Sequence, residues 1–357
     1  MQKVKVATEN REYAIEIKTG LLKELPDVFK ERYGGKKLGL LCDSNTQALY
    51  GDGFADELKA RGFDVTPLSF PAGEGSKNLD TLAGIYDSLA AAGFTRSDYL
   101  VALGGGVTGD MGGLAAATFL RGMGFIQIPT TLLAMVDSSI GGKVAVDLPR
   151  GKNLVGAFYQ PYAVYTDPEL LSTLNDRQFA DGMAELIKHG FIRDEKLYKE
   201  LTDLGSRKAV EPKLDRLIKK SCKIKRDVVE KDEKDNGIRQ LLNFGHTLGH
   251  AIEKAQNFTG MTHGEAISAG MVYITAMTEK IGLTREGETE RVKKALSLFG
   301  LPVDMPDVPG EALVEAVRID KKARSGKITL AIIDKIGSGT LHDMYLAELE
   351  ERILGKL

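Results

Sequence analysis

Tyr99-Leu100-Val101-Ala102-Leu103-Gly104-Gly105-Gly106-Val107-Thr108-Gly109-Asp110 decides how the first half of this chain is read. A short apolar run breaks into glycines and then enters a Gly- and Ala-rich helix over 109–119, which is the strand–loop–helix unit of an open α/β sheet. Gly104, Gly106 and Gly109 fit GxGxxG, where glycine lets the backbone approach a pyrophosphate and the helix N-terminus favours its charge. A tight turn with close helix packing accounts for the same glycines. Two features depart from the usual dinucleotide fingerprint. The loop lies about a hundred residues into the chain rather than after its first strand. No Asp or Glu occurs over 111–136, where the ribose-binding acid belongs, so Asp43 in Cys42-Asp43-Ser44-Asn45 is the substitute at the end of an earlier strand.

Outward from this loop the same rhythm repeats. Strands are expected at 37–42, 63–70, 99–103 and 125–128, with helices at 51–61 and 78–92, and residues 1–6 alternate like a strand. Beyond about residue 170 the pattern turns helical. Amphipathic stretches cover 176–191, 194–204, 212–231, 239–256, 264–281, 287–299 and 310–318, and only 327–333 reads as a strand. The expectation is an α/β nucleotide-binding domain over 1–170 and a mainly α-helical domain over 171–357. They would share a broad interface whose seam suits a ligand.

Composition narrows the function. The chain has 357 residues, 43% apolar and 27% charged, with a net charge of -2 and the signs mixed along its length. The run 219–226 reads as one positive helix face rather than a nucleic-acid tract. Cys42 and Cys222 give neither a disulfide framework nor a CxxC metal motif. No signal-type core or membrane-length apolar run is present, so a cytoplasmic protein without nucleic-acid or membrane partners is expected.

Three of the five histidines, His246, His250 and His263, fall within eighteen residues. Histidine is the commonest metal ligand, and this clustering points to a metal site rather than a merely polar helix face. His246 and His250 share one helix face, with Glu253 a turn further along. Spacing alone leaves open that both of these histidines bind the ion. Lys77, Lys143 and Lys152 lie near glycines in expected loops, which suits an anionic ligand. Glu185 and Lys188 are one turn apart among Gly182, Met183, Ala184, Leu186 and Ile187, so the pair is expected to be buried. His189 and His342 read as structural, and residues 232–235 as a solvated acidic turn.

Residues 104–110, 129–143, 151–161, 185–188, 243–253 and 263–266, in this order, resemble the 3-dehydroquinate synthase family of sugar phosphate cyclases. The resemblance implies a dehydroquinate synthase-like fold similar to glycerol dehydrogenase, with NAD and one divalent metal, usually Zn2+ (or Co2+), often as a homodimer. It implies conversion of the sugar phosphate 3-deoxy-D-arabino-heptulosonate 7-phosphate to 3-dehydroquinate and phosphate, in the shikimate pathway. The chemistry is transient oxidation, phosphate elimination, re-reduction and aldol closure, with net lyase character. It assigns the metal to Glu185, His246 and His263, and assigns His250 to proton transfer. Asp137, Lys143, Asn153, Lys188, Lys225, Arg239 and Asn243 would contact substrate, with Arg121 reaching a partner subunit's substrate and Lys321 or Lys322 another phosphate contact. NAD would meet Asp43, Asn45, Glu74, Lys77, Gly105, Gly106, Asp110, Thr130, Thr131, Lys152 and Thr173.

Two positions depart from the family pattern. Gly113 replaces a commonly bulkier apolar residue, and Asp235 stands where a glutamate is frequent. Rival readings are another sugar phosphate cyclase, a metal-dependent polyol dehydrogenase of the same fold, or a non-catalytic nucleotide-binding module. Arg239 and Asn243 fit a substrate carboxylate and favour dehydroquinate formation. A simple binding module would need neither the triad nor the lysines.

Overall fold

A computed structural model describes residues 1–9, 11–320 and 326–355. They form two compact units, one ending at Thr173 and the other beginning at Leu174.

The first unit runs β1 (Gln2–Ala7), β2 (Glu12–Ile17), α1 (Leu25–Tyr33), β3 (Lys37–Asp43), α2 (Ser44–Thr46), α3 (Asp52–Ala60), β4 (Asp64–Phe70) and α4 (Leu79–Ala91). It continues with β5 (Tyr99–Gly104), α5 (Gly106–Thr118), β6 (Gly124–Pro129), β7 (Lys143–Leu148), β8 (Gly151–Phe158) and β9 (Ala163–Thr166). Seven strands make one sheet in the order β1-β2-β9-β6-β5-β3-β4. Every pairing is parallel except that of β1 with β2. Parallel strands are covered on both faces, so they read as continuous apolar runs. β6 and β9 are buried at every position, and β5 at all but its first.

The chain leaves β3 towards β4 on one side and leaves β5 towards β6 on the other. That divergence is a topological switch point, where an open α/β sheet forms its ligand crevice at the strand ends. Asp43 and the glycine loop close the two strands that flank it.

Two lysine-bearing segments expected as loops are instead an antiparallel hairpin, with Lys143 paired to Phe158 and Val144 to Ala157. Glycine and charge near both strands mask an alternation that buries Val144 and Val146 in the core beside α5. Val144 also accounts for Gly113. A Cβ there would collide with the Val144 side chain and meet Phe125 at 3.1 Å, so in this chain the hairpin fills the space.

The second unit contains α6 (Asp176–Arg193), α7 (Glu195–Leu204), α8 (Arg207–Val210), α9 (Leu214–Val229), α10 (His246–Ala255), α11 (His263–Lys280), α12 (Glu288–Ser297), α13 (Gly310–Asp320), β10 (Lys327–Lys335), β11 (Ser338–Tyr345) and α14 (Leu346–Ile353). Capping boxes start α6 at Asn175 with Gln178, and α11 at Thr262 with Glu265. Each box satisfies amide donors that the first helical turn leaves open.

Two expectations need correction here. The continuous helix expected over 239–256 is a 3-10 turn at Ile238–Asn243 followed by α10. Gly245 separates them at φ 81, a left-handed conformation that ends one helix and caps the next. The strand expected at 327–333 has a partner, β11, paired antiparallel from Tyr345 back to Ser338. β11 buries only Met344 fully, so its sequence carries little strand periodicity.

Helices α10 and α11 approach closely through glycine. A Cβ on Gly270 would collide with the Gly245 carbonyl oxygen and meet the Gly249 amide nitrogen at 3.0 Å. Among the described residues no helix is long and apolar enough to cross a membrane.

Gly270→Ala should therefore lower stability by about 1–3 kcal/mol, as overpacking does. Gly84 lies within α4, and a Cβ added there would meet nothing within 4 Å. Gly84→Ala should raise stability by about 0.4–1 kcal/mol through the unfolded state. Urea unfolding of the two variants checks the contrast. Equal shifts would remove the close-approach argument.

Candidate active site

In the first unit, the backbone turns from β5 into α5 at Gly105, the N-cap residue of that helix. The opening N–H groups of a helix have no intrahelical partner and form a ready anion site. Asp43 sits across the switch point. Its carboxylate accepts from the amides of Asn45 and Thr46 at 2.9 and 3.0 Å. It also accepts from the Thr46 and Thr108 hydroxyls at 2.9 and 3.3 Å, tying the end of β3 to the glycine helix. Thr130 donates its amide to Gly104 at 2.9 Å, and Thr131 caps the next turn by accepting the Ala134 amide at 3.2 Å. Thr173 meets the Tyr50 hydroxyl at 2.8 Å, a partner that no sequence signal marked.

Five expected residues from three distant segments gather beside α5. Lys77 is 5% exposed, and its ammonium lies 2.7 Å from the Asp110 carboxylate. It also donates to the Asn153 side-chain oxygen. Asn153 holds φ 55, a left-handed position, and its amide donates to Asp147 at 2.7 Å. Glu74 and Lys152 stand 3.6 Å apart. Burial pushes the Asp110 carboxyl up to about 6, against the pull of Lys77. The Lys77 ammonium holds its proton more tightly than usual, because Asp110 and Glu74 outweigh its own burial. Asp147 was missed by sequence reading, since it lies in a strand whose alternation was hidden.

Gly106 stands close to Ser138, whose hydroxyl a Cβ on that glycine would meet at 3.3 Å. Asp137 is half-buried in the π-helical turn Ala134–Ser138, and Lys143 is exposed at the start of β7. Arg121 is exposed and lies in a left-handed run, with φ 51, 65 and 123 at Leu120, Arg121 and Gly122.

The second unit holds a tighter cluster. Glu185 lies in the middle of α6 at 0% exposure. His246 is the first residue of α10 and His263 the first of α11, so two helix starts deliver the two rings. His246 Nε2 lies 3.3 Å and His263 Nε2 3.4 Å from Glu185 Oε1. Four ligands around zinc at about 2.0–2.1 Å stand about 3.3 Å apart along a tetrahedron edge. The observed separations match that edge, and one carboxylate with two imidazoles is a donor set zinc and cobalt accept. The residues present therefore suit such an ion in both spacing and donor chemistry.

Lys188 pairs with Glu185 one turn away, and its ammonium donates to the Leu242 carbonyl at 2.6 Å. His246 Nδ1–H donates to the Phe244 carbonyl at 3.2 Å, which turns Nε2 towards Glu185. Burial and the nearby Lys188 charge push the His246 imidazolium down to about 4. Burial also acts against a charged His263, but Glu185 and Glu253 prevail and push it up to about 10. Glu185 is held well below the usual carboxylate range, because Lys188, His246 and His263 outweigh its burial.

His250 stands one turn beyond His246, with ring centroids 5.4 Å apart. Lys225 on α9 and Arg239 in the 3-10 turn are 5% and 2% exposed, and Asn243 ends that turn. Arg239 donates to the Glu233 carbonyl, and its own amide to Asp232 at 3.0 Å. His189 is buried against Ser221 at 2.6 Å. Both cysteines are buried, with thiols pushed up to about 12 by burial, which leaves them unreactive. Lys321 and Lys322 lie outside the described residues.

The chain as a whole, an α/β unit with its glycine loop at a switch point followed by a helical unit, is similar to a class of synthases solved with NAD+ and a divalent metal. In that class the 2-deoxy-scyllo-inosose synthase complexed with carbaglucose-6-phosphate, NAD+ and Co2+ matches at a TM-score of 0.90 and 27% identity, over 100% of both chains. The 2-epi-5-epi-valiolone synthase ValA of Streptomyces hygroscopicus, with NAD+ and Zn2+ bound, matches at 0.85 and 26%, over 98% of each. The family model for the 3-dehydroquinate synthase N-terminal part matches residues 67–181, and that for the C-terminal part residues 182–323. The 3-dehydroquinate synthase of Clostridium kluyveri is 43% identical, over 98% of this chain and 97% of its own. This chain belongs to the 3-dehydroquinate synthase family.

The buried charges of each unit can be tested separately. Asp110 has a raised carboxyl, so its contribution to stability is complete below its unfolded value and is lost as pH rises through about 6. Lys77→Met removes the compensating cation and should lower Tm more at pH 8 than at pH 5. An equal loss at both pH values would refute the pairing. His246→Ala and His263→Ala should fail to retain Zn2+ through desalting, while His250→Ala keeps about one ion per chain. Metal analysis of the three variants decides, and equal loss from all three would assign the ligands wrongly.

Proposed function

We propose that this chain acts as a 3-dehydroquinate synthase, converting 3-deoxy-D-arabino-heptulosonate 7-phosphate to 3-dehydroquinate and phosphate as a carbon–oxygen lyase. The observation that carries the reading is the convergence of Glu185, His246 and His263 at metal-ligand separations. Full-length similarity to 3-dehydroquinate synthases supports it.

When bound, NAD+ supplies transient oxidation of a secondary alcohol, and a Zn2+ or Co2+ ion polarises its oxygen. Glu185, His246 and His263 would hold the ion, and three protein ligands would leave room for a substrate oxygen. The amides opening α5 would receive the pyrophosphate, with Gly105 and Gly106 allowing close approach. Asp43 and Asn45 would meet the ribose. Glu74, Lys77, Asp110, Lys152, Thr130, Thr131 and Thr173 would supply the remaining nucleotide contacts.

Lys188 has three donors, and Glu185 and Leu242 take two of them. The remaining donor would meet an anionic substrate oxygen. Lys225 and Arg239 carry positive charge in a buried setting, where a lower dielectric strengthens their pull on phosphate and carboxylate oxygens. Asn243, Asn153, Asp137 and Lys143 orient the remaining substrate groups, and Arg121 reaches a partner subunit's substrate. His250 moves protons at the substrate from its place beside the triad.

Purified protein given this substrate, NAD+ and Zn2+ should release phosphate without accumulating NADH. EDTA should abolish the release, and Zn2+ or Co2+ restore it. NADH accumulating with glycerol would instead identify a polyol dehydrogenase. Phosphate release only from sedoheptulose 7-phosphate or glucose 6-phosphate would identify another cyclase.

A further inference from the structure

Glu253 lies seven residues after His246 on α10, which places both on one helix face two turns apart. Its side chain is buried. Its Oε2 stands 3.5 Å from His263 Nδ1, while the other nitrogen of that ring, Nε2, faces Glu185. One imidazole is thus held between two carboxylates. His246 receives the equivalent support from the Phe244 carbonyl on its Nδ1 side. A ligating histidine usually donates its outward N–H to a carboxylate or a backbone carbonyl, which fixes its tautomer and raises its basicity.

We infer that Glu253 is the positioning residue of the metal centre. It accepts the Nδ1–H of His263, turns the Nε2 lone pair towards the ion, and adds negative charge that strengthens the imidazole as a ligand. The fold makes this possible. His263 starts α11, Glu253 belongs to α10, and the glycine contact between the two helices brings the side chains together. A buried carboxylate also needs a polar or cationic partner, and His263 provides one. His250 precedes Glu253 by one turn, and its ring centroid is 6.1 Å from that of His263. The competing role for Glu253 is therefore support of His250 rather than of the metal.

The inference rests on the metal reading of Glu185, His246 and His263. The test is Zn2+ affinity of the full chain by chelator competition, together with the absorption spectrum of the Co2+-loaded protein. Glu253→Gln should bind Zn2+ about 10–100-fold more weakly than wild type, the range for losing such a partner. Its Co2+ bands should shift, and Glu253→Asp should recover part of the affinity. Wild-type affinity and an unchanged Co2+ spectrum in Glu253→Gln would overturn the inference, even with slowed turnover, and would assign the residue to His250. Should Glu253→Gln fail to fold by circular dichroism, Glu253→Asp carries the same test, and wild-type affinity there also overturns it. Wild-type protein that takes up no Zn2+ or Co2+ would remove the metal reading itself, a result distinct from either of these.

Discussion

A carboxylate wholly withdrawn from water is tolerated only when cations or dipoles replace its hydration. Glu185 is such a group, and much of the helical unit is arranged to meet its needs. Lys188 lies one turn away on the same helix. The two imidazoles come from the first residues of α10 and α11. A helix start is a defined place in the chain, so caps rather than loops set these positions. Gly245 in a left-handed conformation starts α10, and the Thr262–Glu265 box starts α11. Asp181 on α6 accepts the Gly264 amide, and Arg177 on the same helix grips Glu265 at 2.6 and 2.7 Å. The start of α11 is thereby tied to the helix that carries Glu185.

The α/β unit solves a similar problem with a different charge. Lys77 is the buried cation there, and Asp110 and Asn153 surround it. Its loop, the glycine helix and the β7–β8 hairpin converge on one ammonium. In both units a charge removed from water holds together segments distant in sequence. The same charges are the ones suited to bind phosphate, pyrophosphate or a divalent ion.

The repeating strand–helix rhythm was legible because each parallel strand is a continuous apolar run, and α6, α7 and α9 were legible from amphipathic spacing. β11 was not, since a two-stranded ribbon that fully buries one residue leaves almost no pattern. The break at Gly245 was hidden because a single glycine is compatible with a helix until its φ is known. At the site, histidine clustering marks the right window, spacing leaves open that His246 and His250 both bind the ion, and only the family resemblance names Glu185, His246 and His263. The structure brings His246 and His263 together on Glu185, a pairing set by two helix starts that no linear spacing encodes. The placement of Glu185 and Lys188 could be read from their apolar neighbours. That of Asp147 could not, because its strand was masked by charge.

The seven-residue step from His246 to Glu253 has a consequence for how this chain can vary over evolutionary time. Each added or deleted residue in α10 rotates everything after it by roughly 100°. A single such change before Glu253 would carry that carboxylate off the shared face while leaving His246 in place. The segment from Gln256 to Met261 has no such phase to keep. Length variation among descendants of this sequence should therefore collect in that connection and be absent from the two turns before it.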